Sequence, residues 1–352
     1  MKAAVLYEAR KPLIIEEMET PSIGDGEVLI RVTACGVCHT DLKAVEGSTP
    51  FRSPSLLGHE VSGIIEEVGK DQRSFFKAGD RVIVGMRYKC GRCRHCMAGR
   101  ENICRNRPKP APLKKKDGGM VYPWNVGGFS QYLPAPGYMV YKIPEGVSME
   151  EASLIGCRVT TAYNAVKHGA ELEPGDSAVV IGCGGVGLNT IQFLKCFGAY
   201  PIVAVDLIPE KLEAAKRFGA THTVNASKDD PVEAVKAITD GGADKSFECI
   251  GNMKTADQIV NATCPGGTAV IVGGLGHRPI TFSDARFAFN EIKVTGVQSR
   301  RATDVDEVLR MARDGRIDVK SLLSKKYAYA EINEALEDLE KGKLLMGITM
   351  WN

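Results

Sequence analysis

Eleven cysteines are spread unevenly over the 352 residues of this chain, and four of them crowd one short segment. Cys90, Cys93, Cys96 and Cys104 give C-x2-C-x2-C-x7-C within glycine-containing, turn-prone sequence. Four thiolates so close can complete a tetrahedral shell and leave no position for water, which is the chemistry of a structural zinc. Disulfides and an iron–sulfur cluster are the competing readings, since an iron–sulfur cluster uses overlapping spacings. A second set is more dispersed. Cys35, Cys38, His39, Thr40 and Asp41 stand together at the expected start of a helix, and Gly58-His59-Glu60 follows further along. Cys, His and Glu are all competent zinc ligands. Taken singly, Cys35 or Cys38 reads equally as a buried small thiol, and His59 as a hydrogen-bonded loop histidine.

A third set is built from glycine. Val179 to Ile181 is a short apolar strand, and Gly182-Cys183-Gly184-Gly185-Val186-Gly187 then opens a helix with apolar residues at Val186, Ile191, Leu194 and Phe197. In G-x-G-x-x-G the first glycine makes a tight turn, the second lets backbone approach a pyrophosphate, and the third packs helix on strand. The helix start offers N–H groups and a positive dipole end to phosphate. A second strand, Ile202 to Val205, ends on Asp206, about 20 residues past the last glycine, where a carboxylate bonds a ribose 2′-hydroxyl and repels a 2′-phosphate. The expectation is a dinucleotide site preferring NAD to NADP.

These groups need elements to hold them. Lys2 to Tyr7, Leu13 to Glu17 and Glu27 to Ala34 suit an antiparallel sheet broken by Pro21, Gly24 and Gly26, and Val61 to Val68 is a further strand. Pro108 to Asn125 reads as an exposed loop, and Pro134 to Gly146 as a linker with one strand. Met149 to Leu154 opens a helical pattern that runs into Gly156-Cys157-Arg158. Beyond Asp206, strands and helices alternate through Ile292 to Val297, which predicts an α/β, doubly wound parallel sheet with ligands at the carboxyl ends of its strands. The tail returns to helix at Val305 to Arg313 and Glu331 to Lys341, then a strand at Gly347 to Trp351.

Length predicts two domains. Composition is that of an ordinary globular chain, 44% hydrophobic and 25% charged, and the net charge of +2 gives no global argument for nucleic acid or membrane. No apolar run approaches the roughly 18 residues of a membrane span, and no signal-peptide pattern is expected at the amino terminus. An odd number of cysteines in a long chain points to a reducing cytoplasm with some thiols on metal. One charge bias stands out. Arg87, Lys89, Arg92, Arg94, Arg100, Arg105, Arg107, Lys109, Lys114, Lys115 and Lys116 are opposed only by Glu101 and Asp117. A solvated lobe is the plainest account, with attraction of an anionic substrate or contact with nucleic acid as alternatives.

Together, G-V-C-H-T-D (36–41), G-H-E (58–60), the four cysteines, G-G-F-S-Q-Y (127–132), Cys157 and G-C-G-G-V-G (182–187) resemble the zinc-dependent alcohol dehydrogenases of the medium-chain dehydrogenase/reductase superfamily. The resemblance covers essentially the whole chain. It implies that Cys38, His59 and Cys157 hold a catalytic zinc, that Glu60 can transiently replace the zinc-bound water, and that Cys35 is a core thiol. It implies Asp41 as the orienter of His59 and Thr40 as the group that takes the hydroxyl proton. His39, Thr161, Gly182, Gly184, Gly185, Val186, Gly187, Asp206 and Lys211 are then cofactor-binding. The implied architecture is a β-rich, GroES-like catalytic domain over 1–158 (zinc lobe 88–107) and 298–352, with a Rossmann domain over 159–297. Homodimers or homotetramers, two zinc ions per chain and NAD are the implied complement. Two departures stand out: Lys43 replaces a relay histidine that many relatives carry, and no arginine stands near Ile348, where relatives often grip the pyrophosphate. The expected activity is hydride transfer between an alcohol and NAD. Polyol, amino-alcohol and hydroxy-acid or semialdehyde substrates remain open, with a zinc-stabilised nucleic-acid-binding protein as the alternative of another class. Met86 and Trp124 are candidates for the substrate pocket.

Overall fold

Apolar runs broken by glycine and proline in the first 150 residues call for sheets, and the computed structural model, which describes residues 1–274, 282 and 284–351 (284–286 by backbone alone), contains them. Contacts divide the chain into two compact units. One is Met1–Cys157 with Arg301–Asp314 and Val319–Asn352; the other is Arg158–Arg300 with Gly315–Asp318.

The first unit is β-rich. One sheet runs in the order Ile14–Glu17, Lys2–Leu6, Ser55–Leu56, Met120–Pro123, Leu113–Lys114. A second runs Val140–Lys142, Arg81–Val84, Glu60–Val68, Glu27–Val37, Met346–Met350, Leu323–Ala328, with Tyr132–Pro136 also on Glu27–Val37. Phe129, Leu133, Leu56, Leu57, Ile65 and Tyr327 are fully buried in the core of this unit. Glu27–Val37 is the longest strand and the centre of the sheet. It pairs with Glu60–Val68 on one edge and, near its carboxyl end, with Met346–Met350. That strand extends past Ala34 through Cys35, Gly36 and Val37, so the helix starts later than the sequence suggests, at His39–Val45. The segment 108–125 is not all loop: Leu113–Lys114 and Met120–Pro123 pair in it. Two strands, not one, occupy 134–146 and its approach, Tyr132–Pro136 and Val140–Lys142.

The second unit is a parallel sheet in the order His222–Asn225, Ile202–Asp206, Ala178–Ile181, Ala243–Glu248, Thr263–Ile271, Lys293–Gly296. Its strands reverse direction of growth beside Ala178–Ile181, the doubly wound order expected of the alternating sequence. Ala178–Ile181 is buried along its whole length, as a central parallel strand covered on both faces must be. Val179, Ile181, Val203, Val205 and Ile259 form its core. No helix among the described residues is long and apolar enough to cross a membrane.

Candidate functional site

Strand pairing delivers the first chemical group. Glu27–Val37 ends at Cys38, which caps the helix His39–Val45 in an extended conformation. On the adjacent strand, Gly36 pairs with Glu60, the first residue of Glu60–Val68. A Cβ on residue 36 would lie 2.0 Å from Glu60 Oε2, so glycine there makes the room that the Glu60 carboxylate fills. His59 precedes Glu60, after Gly58, whose φ of 87° belongs to the left-handed region. Cys157 arrives from elsewhere. The helix Met149–Leu154 starts with a capping box, Glu151 N–H donating to Ser148 Oγ at 3.2 Å and Ser148 N–H to the Glu151 carboxylate at 3.0 Å. Ser62 Oγ donates to Met149 carbonyl at 2.6 Å and fastens this helix to the strand of Glu60. The chain then widens into an i→i+5 turn, Ile155–Val159, that carries Cys157.

The result is one cluster. The ligand atoms of Cys38, His59, Glu60 and Cys157 all lie within 4.8 Å of one another, and all four residues are buried. Asp41, fully buried, accepts from Gly58 N–H at 3.0 Å and lies 3.1 Å from His59 Nδ1. Accepting Nδ1–H fixes the tautomer that presents a lone pair at Nε2, and Nε2 is buried with no hydrogen-bond partner. Burial works against an imidazolium here, but the Asp41 carboxylate and the Cys38 thiol outweigh it and hold the ring's pKa well above its ordinary value. The pocket therefore favours a positive charge at Nε2, and a dication among two thiols supplies one. Two sulfurs and an imidazole form a soft donor set suited to zinc.

The four-cysteine lobe passes a stricter test. Its sulfurs stand 3.5 Å apart for Cys93–Cys96 and Cys90–Cys104, 3.9 Å for Cys93–Cys104 and 4.0 Å for Cys90–Cys96. A tetrahedron with metal–sulfur bonds of about 2.3 Å has edges of about 3.8 Å. The spacing fits a single ion and is far too long for disulfides; none of the eleven cysteines is in a disulfide. Glu101, inside the lobe, accepts from Ala302 N–H at the start of the helix Ala302–Arg313. Part of the basic run is neutralised: Lys115 bonds Tyr7 and pairs with Glu16, and Lys116 pairs with Glu17. Arg92, Arg94, Arg100 and Arg105 remain exposed.

Each glycine of the dinucleotide turn has its own reason. Gly182 has φ 100°; Gly184 caps the helix Gly185–Cys196 with open space where a Cβ would stand; a Cβ on Gly187 would meet Gly182 carbonyl at 1.8 Å. Asp206 closes its strand with Oδ2 accepting from Cys183 N–H at 2.8 Å and Oδ1 from Ile208 N–H at 3.0 Å. Its carboxylate is thus fixed beside the turn. Lys211 and Thr161 are half-buried, Thr40 and Lys43 likewise, and His39 is exposed. Cys35 is buried in its strand, outside the cluster.

Sequence reasoning passed over Glu248. It ends Ala243–Glu248, fully buried, and its Oε1 accepts from Ile250 N–H at 2.9 Å, Gly251 N–H at 2.8 Å and Thr255 Oγ1 at 2.8 Å. That clamp sets the turn whose Ile250 side chain lies against Gly182. The available signal was an acidic residue closing a strand three residues before Gly251.

Comparison with known proteins agrees with both halves. The alcohol dehydrogenase GroES-like domain family matches residues 24–145, and the zinc-binding dehydrogenase family matches residues 185–314. An alcohol dehydrogenase of Geobacillus stearothermophilus is 37% identical over 349 residues, covering 98% of this chain and 97% of that protein. The crystal structure of benzyl alcohol dehydrogenase from Acinetobacter calcoaceticus superposes with a TM-score of 0.92 at 30% identity, covering 100% of this chain and 99% of the other. A putative zinc-binding dehydrogenase from Sinorhizobium meliloti 1021, bound to NADP, gives a TM-score of 0.87 at 26% identity, with 99% of each chain covered.

Proposed function

Because the chain belongs to the zinc-dependent alcohol dehydrogenases of the medium-chain dehydrogenase/reductase superfamily, we propose that Cys38, His59 and Cys157 hold its catalytic zinc and that NAD is its preferred hydride acceptor. The observation that carries this reading is the buried cluster of two thiols, an imidazole and a carboxylate within 4.8 Å. Zinc bound there supplies Lewis acidity, lowering the pKa of an alcohol towards neutrality.

The remaining work falls to the chain's own side chains. Asp41 keeps the His59 ring in register through Nδ1. Glu60 stands close enough to compete for the metal and assists exchange of substrate for water. Thr40 Oγ1 would accept the alcohol's hydroxyl proton while donating its own towards the ribose of a bound cofactor. Lys43 stands where many relatives carry histidine, so a relay beyond the ribose would run to water. A bound nicotinamide would supply the hydride acceptor for the carbinol carbon, giving an aldehyde or ketone, and the reverse reaction would use the same groups. The turn through Gly182, Gly184, Gly185, Val186 and Gly187 receives the pyrophosphate on backbone N–H groups, with His39 assisting. Asp206 and Lys211 bind the adenosine ribose, and Thr161 packs by the nicotinamide. The carboxylate at Asp206 supports NAD over NADP, because a 2′-phosphate beside it is repelled. Cys90, Cys93, Cys96 and Cys104 hold a structural zinc.

We further propose catalytic segments 1–158 and 298–352 flanking a dinucleotide domain over 159–297, assembly as a homodimer or homotetramer, and a cytoplasmic location. Eleven cysteines with no disulfide among them support the last. The test is NADH formation at 340 nm by metal-quantified protein, with Cys38→Ser beside the unaltered chain. Two zinc ions per chain and turnover that collapses in Cys38→Ser, with NADH binding intact, are expected. Unchanged turnover in that variant refutes the ligand assignment.

A further inference from the structure

Trp124 is an aromatic neighbour of the cluster whose segment is placed by backbone pairing. Trp124 lies edge-on to His59, ring centroids 6.4 Å apart and planes at 75°. Its segment runs parallel to the one that carries His59: Ser55 pairs with Tyr122 and Leu56 with Pro123. Three further backbone bonds continue the match. Trp124 N–H donates to Leu56 carbonyl at 2.8 Å, Gly128 N–H to Gly58 carbonyl at 2.8 Å, and Phe129 N–H to Leu57 carbonyl at 3.0 Å. Left-handed residues at Asn125 (φ 63°) and Gly127 (φ 74°) close the loop between them. The backbone that carries the indole is therefore held against the ligand segment. His59 is wholly buried, while Trp124 packs one part on the core and keeps another part open.

On the reading that His59 ligates the catalytic zinc, we infer that Trp124 is a specificity-determining wall for the substrate's carbon skeleton, and that the preferred substrates are alcohols bearing an aryl or bulky apolar group. An indole offers a broad apolar face and a single N–H donor, with no acceptor. An aryl group gains contact area and edge-to-face geometry against it. A polyol would instead lay hydroxyls on that face, each losing water without a hydrogen-bonding replacement. The rigid loop makes the wall preorganised, so the preference is present before the substrate arrives.

Kinetics of the unaltered holoprotein decide the first half. Benzyl alcohol should exceed ethanol in kcat/KM by at least about 10-fold, the scale of a well-filled apolar pocket. Sorbitol should be poorer than either. In Trp124→Ala the benzyl alcohol to ethanol ratio should fall about 10-fold, and in Trp124→Phe by less, since part of the face is restored. A second readout is independent of turnover. Benzamide, an unreactive aromatic carbonyl, added to the NADH complex should give a saturable change in indole fluorescence that Trp124→Phe abolishes; the protein's other indole is Trp351. Ethanol or sorbitol turned over as well as benzyl alcohol by the unaltered protein overturns the inference, whatever the variants do. So does an unchanged ratio in a Trp124→Ala protein that holds two zinc ions, or a benzamide signal that persists in Trp124→Phe. Absence of turnover on every alcohol, with both zinc ions and NADH bound, instead removes the proposed function on which this inference rests.

Discussion

Replacing Asp41 with alanine takes from His59 the acceptor at 3.1 Å that fixes its tautomer, and from Gly58 N–H the acceptor at 3.0 Å. A hydrogen bond to a charged partner contributes about 1.5–3 kcal/mol. At roughly 1.4 kcal/mol per decade that is one to two powers of ten in metal affinity, the same range as the 10–100-fold found for outer partners of metal ligands. The orphaned Gly58 donor adds a separate cost in stability of about 1–3 kcal/mol. Asp41→Asn keeps an oxygen where both donors point and loses the charge, so it should fall between. The assay is zinc release to a competing chelator, which distinguishes the two sites because Asp41 bonds His59 of one ligand group and the other group is four cysteines. One zinc should be lost about 10–100-fold more readily in Asp41→Ala while the other is unmoved, and kcat/KM should fall in parallel. Both zinc ions held with unchanged affinity, and kcat/KM within twofold of the parent, would refute the reasoning.

Gly36→Ala places a methyl 2.0 Å from Glu60 Oε2 and 2.8 Å from Glu60 Cβ; overpacking of this kind costs about 1–3 kcal/mol, so calorimetry should show a lower melting midpoint, and an unchanged midpoint would mean Glu60 has room to move. Asp206→Ser should raise KM for NAD and shift the NAD to NADP ratio of kcat/KM towards NADP by about 10-fold or more; a constant ratio would remove Asp206 from cofactor choice. Asp338 carries the pH dependence. Hydrogen bonds from Lys343 and Tyr327, joined by Lys325, hold its carboxyl well below the usual range. A depressed folded pKa contributes stability that is present above the unfolded value of about 3.9 and lost as pH falls through the folded one. Denaturant melts should therefore show Asp338→Asn less stable than the parent at pH 7, with the gap closing below about pH 4; an equal gap at pH 7 and pH 2.5 would contradict the assignment.

The dinucleotide half was legible because its signals are local. A strand, a glycine turn and a helix occupy consecutive residues 178–196, and Asp206 follows on the neighbouring strand. The four thiols were legible for the same reason. What escaped depends on pairing between distant segments. Leu323–Ala328 has charged residues at Lys325 and Lys326 and becomes a strand because it lies parallel to Met346–Met350. Leu113–Lys114 and Met120–Pro123 are too short to show a period, and the latter is completed by Ser55–Leu56. Cys35, Gly36 and Val37 read as a helix start because polar and ligand types follow them, yet both flanks of that stretch are occupied by sheet partners. The value of Gly36 is visible only with Glu60 opposite it.

The strand Met346–Met350 lies against Ala34 to Val37, immediately before Cys38, and Thr349 Oγ1 donates to Cys35 carbonyl across 314 residues of sequence. Residues 158–300, nearly all of the second unit, lie in sequence between Cys38 and that strand, so the edge beside Cys38 has no partner there until the chain from 346 onward is made. A strand edge left unpaired in this way is available to chaperones or to another chain. If Cys38 ligates zinc as proposed, a strand more than 300 residues away in sequence helps to set the strand end that presents its thiol, so a lesion in Met346–Met350 would weaken metal binding without touching a ligand.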